Sequence, residues 1–341
     1  MSLIDLGLGQ RQAFAVVGDL HIDNRTPISR IDNIMETMDK KLHSILNSCK
    51  FHNVKYVFFE GDLINRVSMT FEALNLAIQV FMEFKNCGIQ LFSILGNHDI
   101  VRNSVDMLDK SPVQILFIMG LITHINLESP VRFFFKSESM LSWNGLPIAK
   151  LTPVDYTEEL VPADYRVRCN ILLAHMFYDA DPLIAEKAHN LLPEEISALN
   201  YDLIFLGHDH EYYSDVVVDK TRIIRSGSVL RGTSHNYNMT RVPQFSVVTF
   251  TRIDDGKAVF DVEQVEIEHL PYKDIASEYA LTKKSGSDTL EGLQDILSGL
   301  ADRLVSLKND DGDRIYEIIK SDQSLDPECR SLILKYVQES A

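Results

Sequence analysis

No apolar run in this 341-residue chain approaches the length a membrane-spanning helix needs. The longest candidate, Val113 to Ile125, is too short and is broken by Gly120. No N-terminal stretch joins a basic start, an apolar middle and a small-residue cleavage site, so no secretory signal is expected. Cysteine is sparse, and Cys49, Cys87, Cys169 and Cys329 lie far apart. That scatter argues against a zinc knot or disulfide framework and suits reduced thiols in a cytoplasmic protein. Internal repeats and low-complexity segments are also missing. With 45% hydrophobic and 24% charged residues, the chain reads as a soluble globular protein with one large domain or a domain plus appendage.

The net charge of −16 argues against a nucleic-acid partner, because phosphate contacts are made by Lys and Arg. Its distribution weakens that objection. From Asp254 to Ala341 there are 20 acidic and 10 basic residues, so this tail carries −10 of the −16. Acidic residues are absent between Lys220 and Arg252, where six basic ones stand.

Short apolar strands alternate with amphipathic helices along the first half. Gln12 to Val17 reads as a strand ending in Gly18-Asp19-Leu20-His21. Ile28 to Cys49 carries apolar residues at helical spacing. Val54 to Phe59 is a strand ending in Glu60-Gly61-Asp62. Phe71, Leu74, Ile78, Phe81 and Met82 mark a second helix closed at Cys87-Gly88, and Ile89 to Leu95 is a strand ending in Gly96-Asn97-His98-Asp99. Cys169 to Ala174 is a buried strand ending at His175, Glu186 to Leu199 reads as helical, and Tyr201 to Leu206 runs into Gly207-His208-Asp209-His210. Val131 to Phe135 suggests a strand and Trp143-Asn144-Gly145 a turn. Arg222 to Arg225, Phe245 to Phe250 and Ala258 to Val265 suggest antiparallel strands. This alternation predicts an α/β fold with a largely parallel sheet, whose ligands sit beyond the carboxyl ends of the strands. After residue 270 the character changes. Residues 271–341 read as an acidic, mainly helical C-terminal region, with helices from about Thr289 to Leu307 and after Asp326-Pro327, following a main domain of residues 1–270.

Five strand ends supply Asp19 with His21, Asp62, Asn97 with His98, His175, and His208 with His210. One histidine at a strand end is more often a satisfied polar residue than a ligand, and Gly-Asp is common in turns. His43, His52, His124, His189, His235 and His269 lack this setting and read as surface or structural. Five such motifs in five equivalent contexts are another matter. Asp, Asn and His without thiolate form a nitrogen-and-oxygen set suited to Mn, Fe or Zn. Seven donors are too many for one ion and suit two ions sharing an aspartate, an arrangement that serves in-line displacement at phosphorus.

Gly-Asp-x-His, Gly-Asp, Gly-Asn-His-Asp, a later His and Gly-His-x-His, in that order, resemble the calcineurin-like metallophosphoesterases over about residues 12 to 250. The resemblance implies a four-layer α/β/β/α sandwich. It implies one divalent ion on Asp19, His21, Asp62 and His210, and a second on Asp62, Asn97, His175 and His208. It further implies that His98 protonates or polarises the leaving oxygen, that Asp99 orients the His98 ring, and that a water activated by the ions attacks phosphorus. Within the superfamily the chain is most similar to the nuclease subunits of SbcCD-type DNA-repair complexes, phage versions included, by Gly61-Asp62-Leu63-Ile64 and by Arg225-Ser226-Gly227-Ser228 after the second histidine pair. That likeness implies a Mn-dependent DNA exo- or endonuclease in double-strand-break repair or recombination. It also implies an SMC-like ATPase partner docked on the C-terminal helices, a homodimer, and a cytoplasmic setting (the host's, if phage-encoded). The histidine that some members carry three residues after the shared aspartate stands here as Asn65, which bears on exonuclease strength and polarity.

Independently of the resemblance, Lys220, Arg222, Arg225, Arg231, Arg241 and Arg252, with Tyr237 and Phe245, suggest a basic, partly aromatic surface for DNA, to which Arg66 adds. A small-molecule phosphodiesterase or phosphatase, such as one acting on cyclic nucleotides, needs the same metals and no such surface. A protein phosphatase is disfavoured, because Leu63-Ile64-Asn65-Arg66 stands where Asp-Arg-Gly is expected. A non-catalytic scaffold of the same fold is disfavoured by the complete donor set.

Overall fold

Every strand that leads into a polar motif forms, and the strands gather into two sheets that face each other. The computed structural model describes residues 2–5, 12–134, 149–178, 190–211, 213–233, 236–254 and 257–282. The strands are β1 (Ser2–Asp5), β2 (Gln12–Val17), β3 (Tyr56–Phe59), β4 (Gln90–Ser93), β5 (Thr123–His124), β6 (Val131–Phe134), β7 (Ala149–Val154) and β8 (Cys169–His175). They continue with β9 (Phe177–Tyr178), β10 (Asn190–Leu191), β11 (Leu203–Gly207), β12 (Tyr213–Val218), β13 (Thr221–Arg225), β14 (Gln244–Asp254) and β15 (Lys257–Glu266). The helices are α1 (Ile34–Phe51), α2 (Phe71–Asn86), α3 (Val113–Ile118), α4 (Pro193–Leu199), α5 (Asn236–Thr240), α6 (Tyr272–Ile275) and α7 (Glu278–Thr282).

Among the described residues, one sheet has the order β15-β14-β2-β3-β4-β5 and the other β1-β6-β7-β8-β11-β13-β12. The centre of each is parallel: β2, β3, β4 and β5 in one, and β7, β8, β11 and β13 in the other. Three apolar layers follow from this. α1, α2 and α3 pack on one sheet through Met38, Leu42, Val80, Phe81 and Leu116. The inner faces of the two sheets meet through Phe14, Phe58, Phe133 and Phe205, with the Phe14 and Phe133 rings stacked at 5.1 Å. α4 covers the second sheet through Ile196 and Leu199 against Leu172 and Ile204. This is the α/β/β/α sandwich. Each fully buried large apolar side chain contributes about 1.5–3 kcal/mol, so the layers can carry a polar site with strained backbone at their ends.

Several elements depart from the sequence reading. α1 begins at Ile34, not Ile28, because the Asn33 carboxamide caps it by accepting from the amides of Met35 (3.1 Å) and Glu36 (3.4 Å). Ile28 and Ile31 are 54% and 68% exposed, so their helical spacing was coincidental. On α2, capped by Thr70, Phe71 is 90% exposed, and the buried face runs through Ala73, Leu74, Ala77, Val80, Phe81 and Phe84. Of the helix expected over Glu186 to Leu199, residues 186–189 lie outside the described residues, Asn190 and Leu191 pair as a short strand with Phe177 and Tyr178, and a helix begins at Pro193. Proline at the first helical position sets that start. β12 went unread; β13 runs antiparallel to it, as expected, and parallel to β11 on its other side. Cys49, Cys87 and Cys169 are free thiols.

By packing, the chain divides into two units, residues 1–281 and 282–341. Apart from Thr282 the second lies outside the described residues, as do the predicted helices beyond residue 289 and the turn at Trp143. α6 belongs to the first unit, where Tyr272 and Ile275 are buried and the Tyr272 hydroxyl donates to the Thr233 carbonyl at 2.8 Å. Among the described residues, no helix is long and apolar enough to cross a membrane.

Candidate metal centre

The carboxyl ends of β2, β3 and β4 in one sheet and β8 and β11 in the other converge, and each ends in a polar motif. The turns are tightly interlocked. The amides of Leu20 and His21 donate to the Asp62 carbonyl at 3.1 and 2.9 Å, and that of His208 to the Asp19 carboxylate at 3.2 Å. His21, Asp62 and His208 all adopt positive φ (50°, 47° and 78°). Left-handed backbone at a residue with a side chain costs on the order of 1–3 kcal/mol and tends to gather at functional sites. Two glycines make the crowding possible. Gly61 has φ +94°, and a Cβ on it would lie 2.7 Å from the Gly96 amide. A Cβ on Gly96 would lie 2.5 Å from the Asp62 amide and collide with its carboxylate.

All seven residues predicted as metal donors are brought together here. Asp19, His21 and His210 form one group, with the two Nε2 atoms of the imidazoles facing each other at 2.8 Å. Asp62, His175 and His208 form the other, with His175 Nε2 3.1 Å from Asn97 Oδ1. Asp62 stands between the groups: its Oδ2 lies 3.7 Å from His21 Nε2 and 3.3 Å from His175 Nε2. His98 also approaches His21 and Asp62.

These residues fit a pair of divalent cations. The two imidazole Nε2 atoms that face each other would both turn a lone pair to a cation shared between them, and the buried Asp62 Oδ2 has no hydrogen-bond partner. His175 donates its Nδ1 proton to the Glu60 carbonyl at 2.7 Å, which turns Nε2 toward the site. Burial pushes His208 and His210 down to about 3, helped by His175 and His21 respectively, so both are neutral donors. Burial also opposes charge on His175, but Asp62 and Asp19 outweigh it and push that imidazole up to about 10. Asp62 is likewise buried, yet His175 and His98 hold it well below the ordinary carboxylate range. Two buried carboxylates thus demand positive charge at one spot, and a nitrogen-and-oxygen donor set suits a first-row divalent ion. When bound, such ions supply Lewis acidity for attack by water on a phosphoester.

Two contacts fix the position of His98. Its amide donates to Asp62 Oδ1 at 2.9 Å, and its Nδ1 donates to the Asn65 carbonyl at 2.5 Å, so Nε2 is left for a proton exchange. Asp99 does not orient that ring, contrary to expectation. Its carboxylate is fully buried and accepts from the amides of Gly96 (3.0 Å) and Ile64 (3.2 Å), tying two motif turns together. Burial and Asp62 push it up to about 7. The orienting group is the Asn65 carbonyl instead. That segment is in turn held by Asp23, whose Oδ2 accepts from Asn65 Nδ2 and Arg66 Nε, both at 2.9 Å.

The expected basic surface does not form as read. Arg225, Arg231 and Arg241 are buried. Arg225 Nη1 donates to the Tyr178 carbonyl at 3.3 Å, and Arg241 Nη1 to the Ser228 carbonyl at 2.7 Å. Phe245 is buried, Tyr237 is half-buried, and Arg66 and Arg222 pair with Asp23 and Asp215. A run of basic residues in sequence says nothing about burial, and here turn carbonyls took up the guanidinium donors. Other residues were missed. Tyr156 and Phe177 bring rings to within 5.5 and 4.1 Å of the His208 ring. Glu60 is fully buried with neither carboxyl oxygen hydrogen-bonded, and burial and Asp19 keep it protonated well above its ordinary range. Only Glu60 had a sequence signal, its place beside Gly61-Asp62.

Comparison with known proteins bears on this geometry. Residues 13–212 match the model of the calcineurin-like phosphoesterases. A 113-residue segment, 33% of this chain, is 30% identical to the DNA double-strand break repair protein Mre11 of Methanopyrus kandleri and covers 24% of that protein. TT1561 of Thermus thermophilus is similar over 75% of this chain and 100% of its own, with 10% identity and a TM-score of 0.42. A dimetal phosphatase from Danio rerio is similar over 75% of this chain and 99% of its own, with 12% identity and a TM-score of 0.44. The family match spans more than half of the chain and includes the motifs from Asp19 to His210. The chain belongs to the calcineurin-like phosphoesterases, metal-dependent hydrolases of phosphoesters.

Proposed function

We propose that the chain is a nuclease that hydrolyses DNA phosphodiesters at a centre of two divalent ions, Mn being the expected metal. Asp19, His21, Asp62 and His210 would hold one ion, and Asp62, Asn97, His175 and His208 the other. His98 Nε2 would deliver the proton to the leaving oxygen. An imidazole fixed through Nδ1 and standing off the metals can do this, and general acids of this kind contribute about 10²–10⁴-fold. The observation that carries the reading is the convergence of donors from five strand ends around the unpartnered oxygen of Asp62. What supports DNA over other phosphoesters is the 30% identity with Mre11 over 113 residues. An SMC-like ATPase docked on residues after about 285, and a homodimer, extend this proposal, as does an intracellular setting.

One finding favours a second reading. With Arg225, Arg231 and Arg241 buried, the basic window does not offer an exposed phosphate track, and a small-molecule phosphodiesterase needs none. The two readings separate on substrate. Purified full chain with Mn is assayed on single- and double-stranded DNA beside bis(p-nitrophenyl) phosphate, with and without the ATPase. Cleavage of DNA supports the nuclease, whereas cleavage of the small diester alone selects the second reading.

A further inference from the structure

Four cationic side chains meet in the interior beside the loop that follows β13. Arg30, Lys41, Arg231 and Arg241 are only 2–8% exposed, although Lys and Arg rarely lie so deep without paired acids. Among the described residues, Asp32 is the carboxylate that pairs within the cluster, and it serves Arg30 through Nε (2.9 Å) and Nη2 (2.6 Å). The other contacts are neutral. Arg30 Nη1 donates to the Arg231 carbonyl at 3.1 Å, Arg231 Nη2 to the Leu270 carbonyl, and Arg241 to the carbonyls of Ser228 (2.7 Å) and Leu230 (2.5 Å). Carbonyl oxygens satisfy N–H groups but cancel no charge. Two donors remain unmet: Lys41 Nζ and Arg231 Nε are buried and have no hydrogen-bond partner. Burial, and then Arg231, Arg241 and Arg30, pull the Lys41 ammonium well below its ordinary range, with Asp32 the opposing influence. Burial, and then Arg231, lower Arg241 to about 10 against the pull of Tyr237, Glu211 and Asp19.

A buried cation without a partner is expensive, and a cluster of them more so. We propose that Arg30, Lys41, Arg231 and Arg241 form a buried binding site for a tetrahedral oxyanion, inorganic phosphate being the physiological form. A dianion answers both the excess of positive charge and the two unmet donors. The burial of the cluster favours a small free ion over a nucleic-acid backbone or a nucleotide. The site adjoins the metal centre through one segment. Arg241 holds the Ser228 carbonyl, while the Ser228 amide donates to the His210 carbonyl (3.2 Å) and the Val229 amide to that of Asp19 (2.8 Å). Bound anion would therefore brace the loop that supports two of the proposed metal donors. This site is independent of whether DNA is the substrate.

The test is thermal unfolding and titration calorimetry of the full chain with phosphate, sulfate and dAMP, both Mn-loaded and in EDTA. EDTA removes any phosphate response of the metal centre itself. Phosphate and sulfate are expected to raise Tm in EDTA, with dAMP giving no rise. Lys41→Met is expected to weaken phosphate roughly tenfold or more, the loss of one charge-assisted hydrogen bond, and Lys41→Arg should retain binding. Should Lys41→Met fail to fold, tungstate-soaked crystals of the wild type decide, with an anomalous peak expected within hydrogen-bond reach of Lys41 Nζ. No phosphate response in EDTA, an undiminished response in folded Lys41→Met, or no tungstate at Lys41 would each overturn the proposal.

Discussion

Replacing Gly96 by alanine perturbs the proposed centre at its shared ligand. The added methyl group would lie 2.5 Å from the Asp62 amide nitrogen and 2.6 Å from Asp62 Cγ, where ordinary contact is 3.4–4 Å. Neither neighbour can give way easily. The Asp62 carbonyl accepts from the Leu20 and His21 amides, and its carboxylate accepts from that of His98. Forcing a methyl group into such a site costs about 1–3 kcal/mol, which lowers Tm by roughly 2–12 °C for a unit of this size at ~2–4 °C per kcal/mol. A second loss comes through metal. An ion at 100 times its dissociation constant stabilises the fold by about 2.7 kcal/mol per site, and both proposed sites use Asp62. Calorimetry of wild type and Gly96→Ala, each in EDTA and in excess Mn, separates the two effects. The variant should melt lower in EDTA and gain much less from Mn. A variant that melts with the wild type and keeps the full Mn increment would refute the steric reasoning and the placing of Asp62 at the centre.

Three further outcomes follow from named contacts. His98→Ala should bind metal as the wild type does while turnover falls about 10²–10⁴-fold; a large loss of bound metal would make His98 a ligand instead. Asp23→Ala frees Asn65 and Arg66 from their shared acceptor and so loosens the carbonyl that orients His98. It should reduce kcat with little change in KM or in bound metal, and a change in KM alone would contradict the positioning role. Glu60, raised well above its ordinary 4.5, is protonated when folded and ionises on unfolding. Stability is therefore lost as pH rises above about 4.5, until the folded group also ionises. In EDTA, Glu60→Gln should match the wild type near pH 4 and melt higher at pH 8; a lower Tm at pH 8 would show that the carboxyl is not held neutral.

What was legible in the sequence is what chemistry writes locally. A parallel sheet puts its ligands at strand ends, so Asp19, Asp62, Asn97, His175 and His208 could be read from the residues that end each apolar run. The N-cap of α2, Thr70, and the left-handed Gly88 just past its C-cap Cys87 are equally local. Burial is not local. Ile28 and Ile31 have helical spacing, yet Asn33 caps the helix after them, and residues 28–33 instead clamp the chain through Arg30 and Asp32. The basic window misled for the same reason: Arg225, Arg231 and Arg241 serve carbonyls contributed by distant turns. Tyr156 and Phe177 reach His208 because β7, β8 and β11 lie side by side in the same sheet, pairings no short window reveals.

Metal stoichiometry tests the binuclear centre most directly. Elemental analysis of the full chain equilibrated with Mn, then desalted, is made on wild type, His208→Ala, His210→Ala and Asp62→Ala. Two ions per chain are expected for the wild type, close to one for each histidine variant, and fewer than one for Asp62→Ala, because Oδ2 of that residue faces both donor groups. One ion per wild-type chain, or an Asp62→Ala protein that still holds two, would contradict a pair of metals joined through Asp62.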